Sequence, residues 1–185
     1  MAETVTEIPG YIVGKWTIDK VHSDVSFTVR HMMVSKVRGH FREFSGQVVT
    51  APDPLESSVT ATIDLTSINT NNEQRDEHIR SADFFEVEKY PIATYTSTGV
   101  RREGGGFVVD GELTLKDVTR QVPLAVELNG FGPDPWGGTR AGFSATAEIN
   151  RKDFNIDFSA VVEGTGGLVV GEKITISLEI EAVLG

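Results

Sequence analysis

Four histidines, one of them beside a serine, and a charged run leading into two phenylalanines carry most of the chemical potential of this 185-residue chain. His22 lies three residues after Asp19 and directly before Ser23; His31, His40 and His78 follow. A metal centre needs two or three such rings to converge with a carboxylate, and no tight ligand spacing joins these four. The plainer reading makes each a hydrogen-bonded structural residue. A Ser23–His22 nucleophile–base pair conflicts with strand geometry, because adjacent residues point to opposite faces, and no Gly-x-Ser-x-Gly turn surrounds the serine. Glu86 and Glu88 form a carboxylate pair, but in an acidic chain they read as solvated charges. Gly164-Thr165-Gly166-Gly167 is followed by no lysine and no helix pattern, so it reads as a flexible turn rather than a phosphate loop.

The charged run is Arg75-Asp76-Glu77-His78-Ile79-Arg80-Ser81-Ala82-Asp83-Phe84-Phe85, with Tyr90-Pro91 close behind. It alone reads as helix. Thr70 and Glu73 have the spacing of a capping box, and Asp76 and Arg80 are four apart, as a surface pair would be. Ile79 and Ala82 share a stripe that can dock on neighbouring structure, and Pro91 restarts extended chain. A polar cluster beside an aromatic pair serves as a lid, as a site for a ligand head group, or as a well-capped crossover.

Everything else must position that run. Period-two alternation dominates: Val25, Phe27, Val29 and His31; Val59, Ala61, Ile63 and Leu65; Phe107, Val109, Gly111, Leu113 and Leu115. Val122 to Leu128, Phe143 to Ile149 and Ile174 to Ala182 repeat it, with turn signals between. About eight one-sided strands in meander order imply an all-β fold, either an up-and-down antiparallel barrel or a two-sheet sandwich. Between Lys36 and Ala51 the phase changes across Arg42-Glu43, as a bulge or strong bend requires, and this favours the barrel. The inward rows mix Ala61, Gly111, Ala145 and Ala147 with large residues. That mixture fits either a ligand slot or tight packing around Phe27, Phe41, Phe44 and Phe143.

Composition narrows the function classes. The net charge of −10 argues against nucleic acid and against static adsorption to anionic lipid surfaces. The absence of cysteine excludes disulfides and thiolate chemistry. Met1 to Gly14 contains Glu3 and Glu7 without a basic or apolar run, and no stretch approaches the roughly 20 apolar residues of a membrane-spanning helix. The chain is therefore expected in the cytoplasm. The expected organisation is a flexible segment over 1–9 and one domain over 10–185.

Several ordered motifs carry a family resemblance. Trp16-Thr17-Ile18-Asp19-Lys20-Val21-His22-Ser23, Val25 to His31 and Gly39-His40-Phe41-Arg42-Glu43-Phe44-Ser45-Gly46 come first. Ser67-Ile68-Asn69-Thr70, Arg75 to Ile79, Asp83-Phe84-Phe85, Tyr90-Pro91, Gly111 to Leu115 and Arg151-Lys152-Asp153-Phe154-Asn155-Ile156 follow in order. From about Gly10 onward the chain resembles the YceI-like family. Asn155 is a small departure, standing where that family often has glycine, and the export signal of many relatives is not seen.

The resemblance implies a lipocalin-like barrel with a short helical crossover, non-enzymatic and without a cofactor. It implies that the lumen holds a polyisoprenoid or similar long-chain lipid, commonly in a homodimer, with transient membrane contact. On that basis Phe27, Val29, Phe41, Phe44, Ile63, Phe84, Phe85, Phe143 and Phe154 are the expected contacts of the tail. His31, Arg75 and His78 are the expected contacts of the polar end. The competing class is a histidine/carboxylate metal protein or small hydrolase built on His22, His31 and His40.

Overall fold

A computed structural model describes residues 8–32, 34–158 and 170–185. Most of the segment expected to be flexible, and the turn expected at Gly164 to Gly167, lie outside those residues. The strands are β1 (Gly14–Ile18), β2 (Asp24–His31), β3 (Ser35–Phe41), β4 (Phe44–Thr50), β5 (Ser58–Asp64) and β6 (Ile68–Asn69). After the single α-helix among the described residues, α1 (Glu73–Arg80), come β7 (Ile92–Glu103), β8 (Gly106–Leu115) and β9 (Val118–Gln121). The last are β10 (Leu124–Pro133), β11 (Thr139–Asn150) and β12 (Val170–Leu184).

These strands close into an eight-stranded antiparallel barrel, as the lipocalin-like expectation requires. The ring closes because β12 pairs with the first strand as well as with β11: Trp16 lies opposite Leu184 and Ile18 opposite Ala182. Two of the barrel's staves are broken into paired halves. β1 pairs β4 at one end of the barrel, while β2 pairs β3 toward the other. The phase change at Arg42-Glu43 is the break between β3 and β4. Phe41 and Phe44, an odd number of residues apart, both reach the interior because the chain bends between them.

Side-chain volume is unevenly distributed inside. At one end Trp16, 0% exposed, packs with Val48, Ala141 and Ala182 and edge-on against Phe131 at 5.6 Å. Its indole N–H donates to the Thr50 hydroxyl at 2.9 Å, so the buried polar atom is satisfied. Of the small inward residues, Ala61 and Ala145 border open interior space, whereas Gly111 does not. A Cβ on Gly111 would lie 2.4 Å from the Tyr95 hydroxyl, so the glycine makes room for that ring. The Tyr95 hydroxyl donates to the Val122 carbonyl at 2.8 Å. Burial holds that phenol above its ordinary pKa.

An ion-pair cluster ties the Trp16 end together. Arg140 reaches Asp19 at 2.7 Å, Glu181 at 3.0 Å and Asp134 at 3.0 Å. His22 meets the same Asp19 at 2.8 Å. The Arg140 guanidinium, and secondarily His22, hold the Asp19 carboxyl well below the usual carboxylate range. Because the folded-state pKa is depressed, this contribution is full above about pH 4, the ordinary aspartate value, and is lost as pH falls toward the folded value. Urea denaturation midpoints should therefore decline on acidification below pH 4. Arg140→Gln should lower the midpoint at neutral pH and make the acid decline shallower; an unchanged slope would show that the cluster does not couple folding to protons.

Candidate functional site

The inward faces of the barrel enclose a cavity of about 480 Å³, within the usual range of ~300–1,000 Å³ for small-molecule pockets. Its walls are almost wholly hydrocarbon. Ala61 and Ile63 of β5, Ala93 and Tyr95 of β7, Val109 and Leu113 of β8, Val126 of β10, Ala145 of β11 and Ile176 and Leu178 of β12 all face it. The alternation identified from sequence places all but Ala93 and Tyr95 there, since one face of each strand points inward; β7 is not among the alternating runs.

Eight of the nine residues expected at the tail border this cavity: Phe27, Val29, Phe41, Phe44, Ile63, Phe84, Phe85 and Phe143. Phe154 does not. It is 1% exposed in the short 3-10 turn Arg151–Phe154 and packs into the wall's core cluster. That turn ends on Asn155 in the left-handed conformation, φ 58°, which asparagine tolerates better than most residues and glycine tolerates best. The three residues expected at the polar end, His31, Arg75 and His78, all border the cavity.

His31 ends β2 opposite Val170 of β12, while Arg75 and His78 stand on α1 in the crossover. Phe27 stacks toward Phe41 at 5.7 Å, and Phe41 toward Phe85 at 6.0 Å. Beyond them His78 lies edge-on to Phe84 and to Phe158, 5.1 Å from each, and its Nε2 is 2.9 Å from Asp83. Gly39 makes the aromatic row possible, because a Cβ there would fall 2.4 Å from the Phe27 ring.

The helix is held differently from the sequence expectation. Asn72, not Thr70, caps α1, accepting from the Arg75 backbone N–H at 2.9 Å. Thr70 is committed elsewhere: its backbone N–H and hydroxyl both donate to Asp76, at 2.8 and 2.5 Å. Its hydroxyl and carbonyl accept from Arg75 at 2.8 and 2.7 Å. Asp76 is thus turned inward and 2% exposed, so Arg80 pairs with Glu73 at 2.9 Å instead. Ile79 borders the cavity as expected, but Ala82 lies past the helix end and is exposed.

Arg151 is the site residue that sequence reasoning missed. It is 2% exposed and donates to the carbonyls of Ile156 at 2.7 Å, Gly171 at 2.9 Å and Val170 at 3.2 Å, at the cavity edge. Burial draws its guanidinium below the ordinary arginine value. Only its membership of the Arg151-Lys152-Asp153-Phe154 motif signalled it.

The residues of the competing readings are scattered. Ser23 exchanges hydrogen bonds with the backbone of Glu181 at 3.2 and 3.0 Å rather than with His22. His40 pairs with Asp24 at 2.8 Å, away from His22. Asp19, His22 and Glu181 do converge, but the Arg140 guanidinium already contacts both carboxylates.

A closed antiparallel barrel around an apolar lumen, with a crossover helix bordering that lumen, defines a lipocalin-like fold. The chain belongs to the YceI-like family: residues 16–182 match the YceI-like domain. It is 47% identical over 135 residues to the UPF0312 protein plu2095 of Photorhabdus laumondii, covering 72% of this chain and 70% of that protein. The crystal structure of Burkholderia cenocepacia BcnA superposes with a TM-score of 0.77 at 25% identity, over 89% of this chain and 98% of that one. A polyisoprenoid binding domain from Saccharophagus degradans shares the fold, with a TM-score of 0.66 at 18% identity, over 94% of this chain and 100% of that one.

Removing the buried carboxylate tests how the crossover is held. Asp76→Ala strips Thr70 of its acceptor and should cost about 2–3 kcal/mol in urea unfolding. Thr70→Ala should be milder in the same assay, since the carboxylate keeps access to the Thr70 backbone N–H.

Proposed function

We propose that this protein binds and carries a long apolar lipid, a polyisoprenoid, in the barrel lumen and catalyses no reaction. The observation that carries the proposal is the hydrocarbon-walled cavity of about 480 Å³ running inside a closed barrel. Each CH₂ removed from water is stabilised by about 0.8 kcal/mol, so such a tail does not travel free in solution. A bilayer offers the tail an equally apolar home, and net affinity must then come from close packing and from the polar end. The reading places the tail between Phe27, Phe41, Ile63 and Phe143, with its polar end toward His31, Arg75 and His78. The polyisoprenoid binding domain of the same fold from Saccharophagus degradans supports this choice of ligand class.

Native mass spectrometry and organic extraction of purified protein should recover a bound polyisoprenoid. Ala145→Phe adds a ring inside the lumen and should abolish that recovery while the barrel stays folded by circular dichroism. Undiminished lipid recovery with Ala145→Phe would place the lipid outside the barrel and contradict the proposal.

A further inference from the structure

The β2–β3 hairpin combines two features that the fold does not need. Its tip exposes apolar side chains: Met32 is 43% and Val34 is 83% exposed. The two strands are joined across the turn by the Val34 N–H donating to the His31 carbonyl at 3.2 Å.

The second feature is charge. Residues 25–42 contain Arg30, Lys36, Arg38 and Arg42 and no acidic residue, in a chain with 27 aspartates and glutamates. Arg30 and Lys36 lie directly opposite each other across the two strands. Like charges in that register destabilise a hairpin, so they call for a reason outside it. Neither forms an ion pair among the described residues; nearby Glu172 is taken by Lys152 at 3.0 Å, and Arg38 meets Asp24 only at 3.7 Å.

The hairpin is also continuous with the lumen. Arg30 and His31, at the end of β2 next to the turn, border the cavity, and β2 pairs with the start of β12 beside the Arg151 cluster. On α1 the exposed Glu73 is paired with Arg80 at 2.9 Å, so that helix offers the hairpin's cations no free partner in Glu73.

We infer that the β2–β3 hairpin docks this end of the barrel on an anionic phospholipid bilayer, with Met32 and Val34 entering the interface and Lys36 and Arg38 meeting lipid head groups. An apolar tip flanked by cations is the composition that binds anionic membrane surfaces, even on a protein whose net charge opposes adsorption. The inference rests on the lipid-carrying reading of the lumen, for which the hairpin supplies the place of exchange.

Vesicle flotation tests it, with phosphatidylcholine alone compared against phosphatidylcholine mixed with phosphatidylglycerol. The wild-type chain should float only with the anionic vesicles. Lys36→Gln with Arg38→Gln should weaken that binding by about thirtyfold, at roughly 1 kcal/mol per cation. Met32→Asp with Val34→Asp should remove it, while circular dichroism and polyisoprenoid uptake from detergent micelles stay unchanged. Equal binding to both vesicle types, no binding at all, or binding indifferent to both double variants overturns the inference. So does a dimer dissolved by Met32→Asp with Val34→Asp while flotation persists, because the tip then meets a second copy. Hairpin-dependent flotation without micelle uptake in any form upholds the docking surface and defeats the carrier reading instead.

Discussion

The interior of an eight-stranded barrel has room for side chains or for a ligand, but not for both, and the distribution of volume along the axis decides between them. In this chain the bulk is concentrated toward the ends. Trp16 and Phe131 occupy one end, and Phe41, Phe84, Phe85 and Phe158 occupy the other. Between them Ala61, Ala93 and Ala145 interrupt rows of larger residues, and cavity remains where they stand. Closure makes the arrangement durable. With β12 bonded to both β1 and β11, the wall cannot flatten to bury those side chains against one another.

Polar groups then appear where hydrocarbon ends. At the Trp16 end Arg140 gathers Asp19, Asp134 and Glu181 into an ion-pair cluster. At the other, Thr70 joins the buried Asp76 to Arg75 and fixes the start of the helix, while Arg151 holds the edge through three carbonyls. A buried carboxylate with satisfied partners positions a segment more strictly than apolar contact does, because any slip leaves charge unpaired. The guanidinium of Arg75 is therefore presented at the cavity from a rigid base, while the His78–Asp83 pair beside it is exposed. The crossover thus carries Phe84 and Phe85 to the cavity edge beside this polar frame.

Much of this was legible in the sequence, and the boundary is physical. Strand faces follow from alternation, so Phe27, Ile63 and Phe143 could be assigned inward without coordinates. Whether small inward residues leave space could not, because it depends on what lies across the barrel: Tyr95 fills the room at Gly111, whereas nothing fills it at Ala145. Helix-surface rules placed Asp76 opposite Arg80, but they describe an isolated helix. Thr70 lies outside that helix and draws the carboxylate in. Phe154 is expected at the tail only through its motif, yet it sits in a short turn that ends on the left-handed Asn155, with its ring buried in the wall. Net charge pointed away from membranes because it sums over the surface, and the cations of the β2–β3 hairpin are visible only when position is considered.

The central claim is that a lipid chain occupies the lumen itself. Isotope-filtered nuclear Overhauser measurements on protein mixed with a ¹³C-labelled polyisoprenoid address it directly. The account predicts contacts from the chain to the methyl groups of Ala61, Val109 and Ala145, deep between the strands. Contacts confined to Met32 and Val34 at the hairpin tip, or none to the inward methyls, would contradict it.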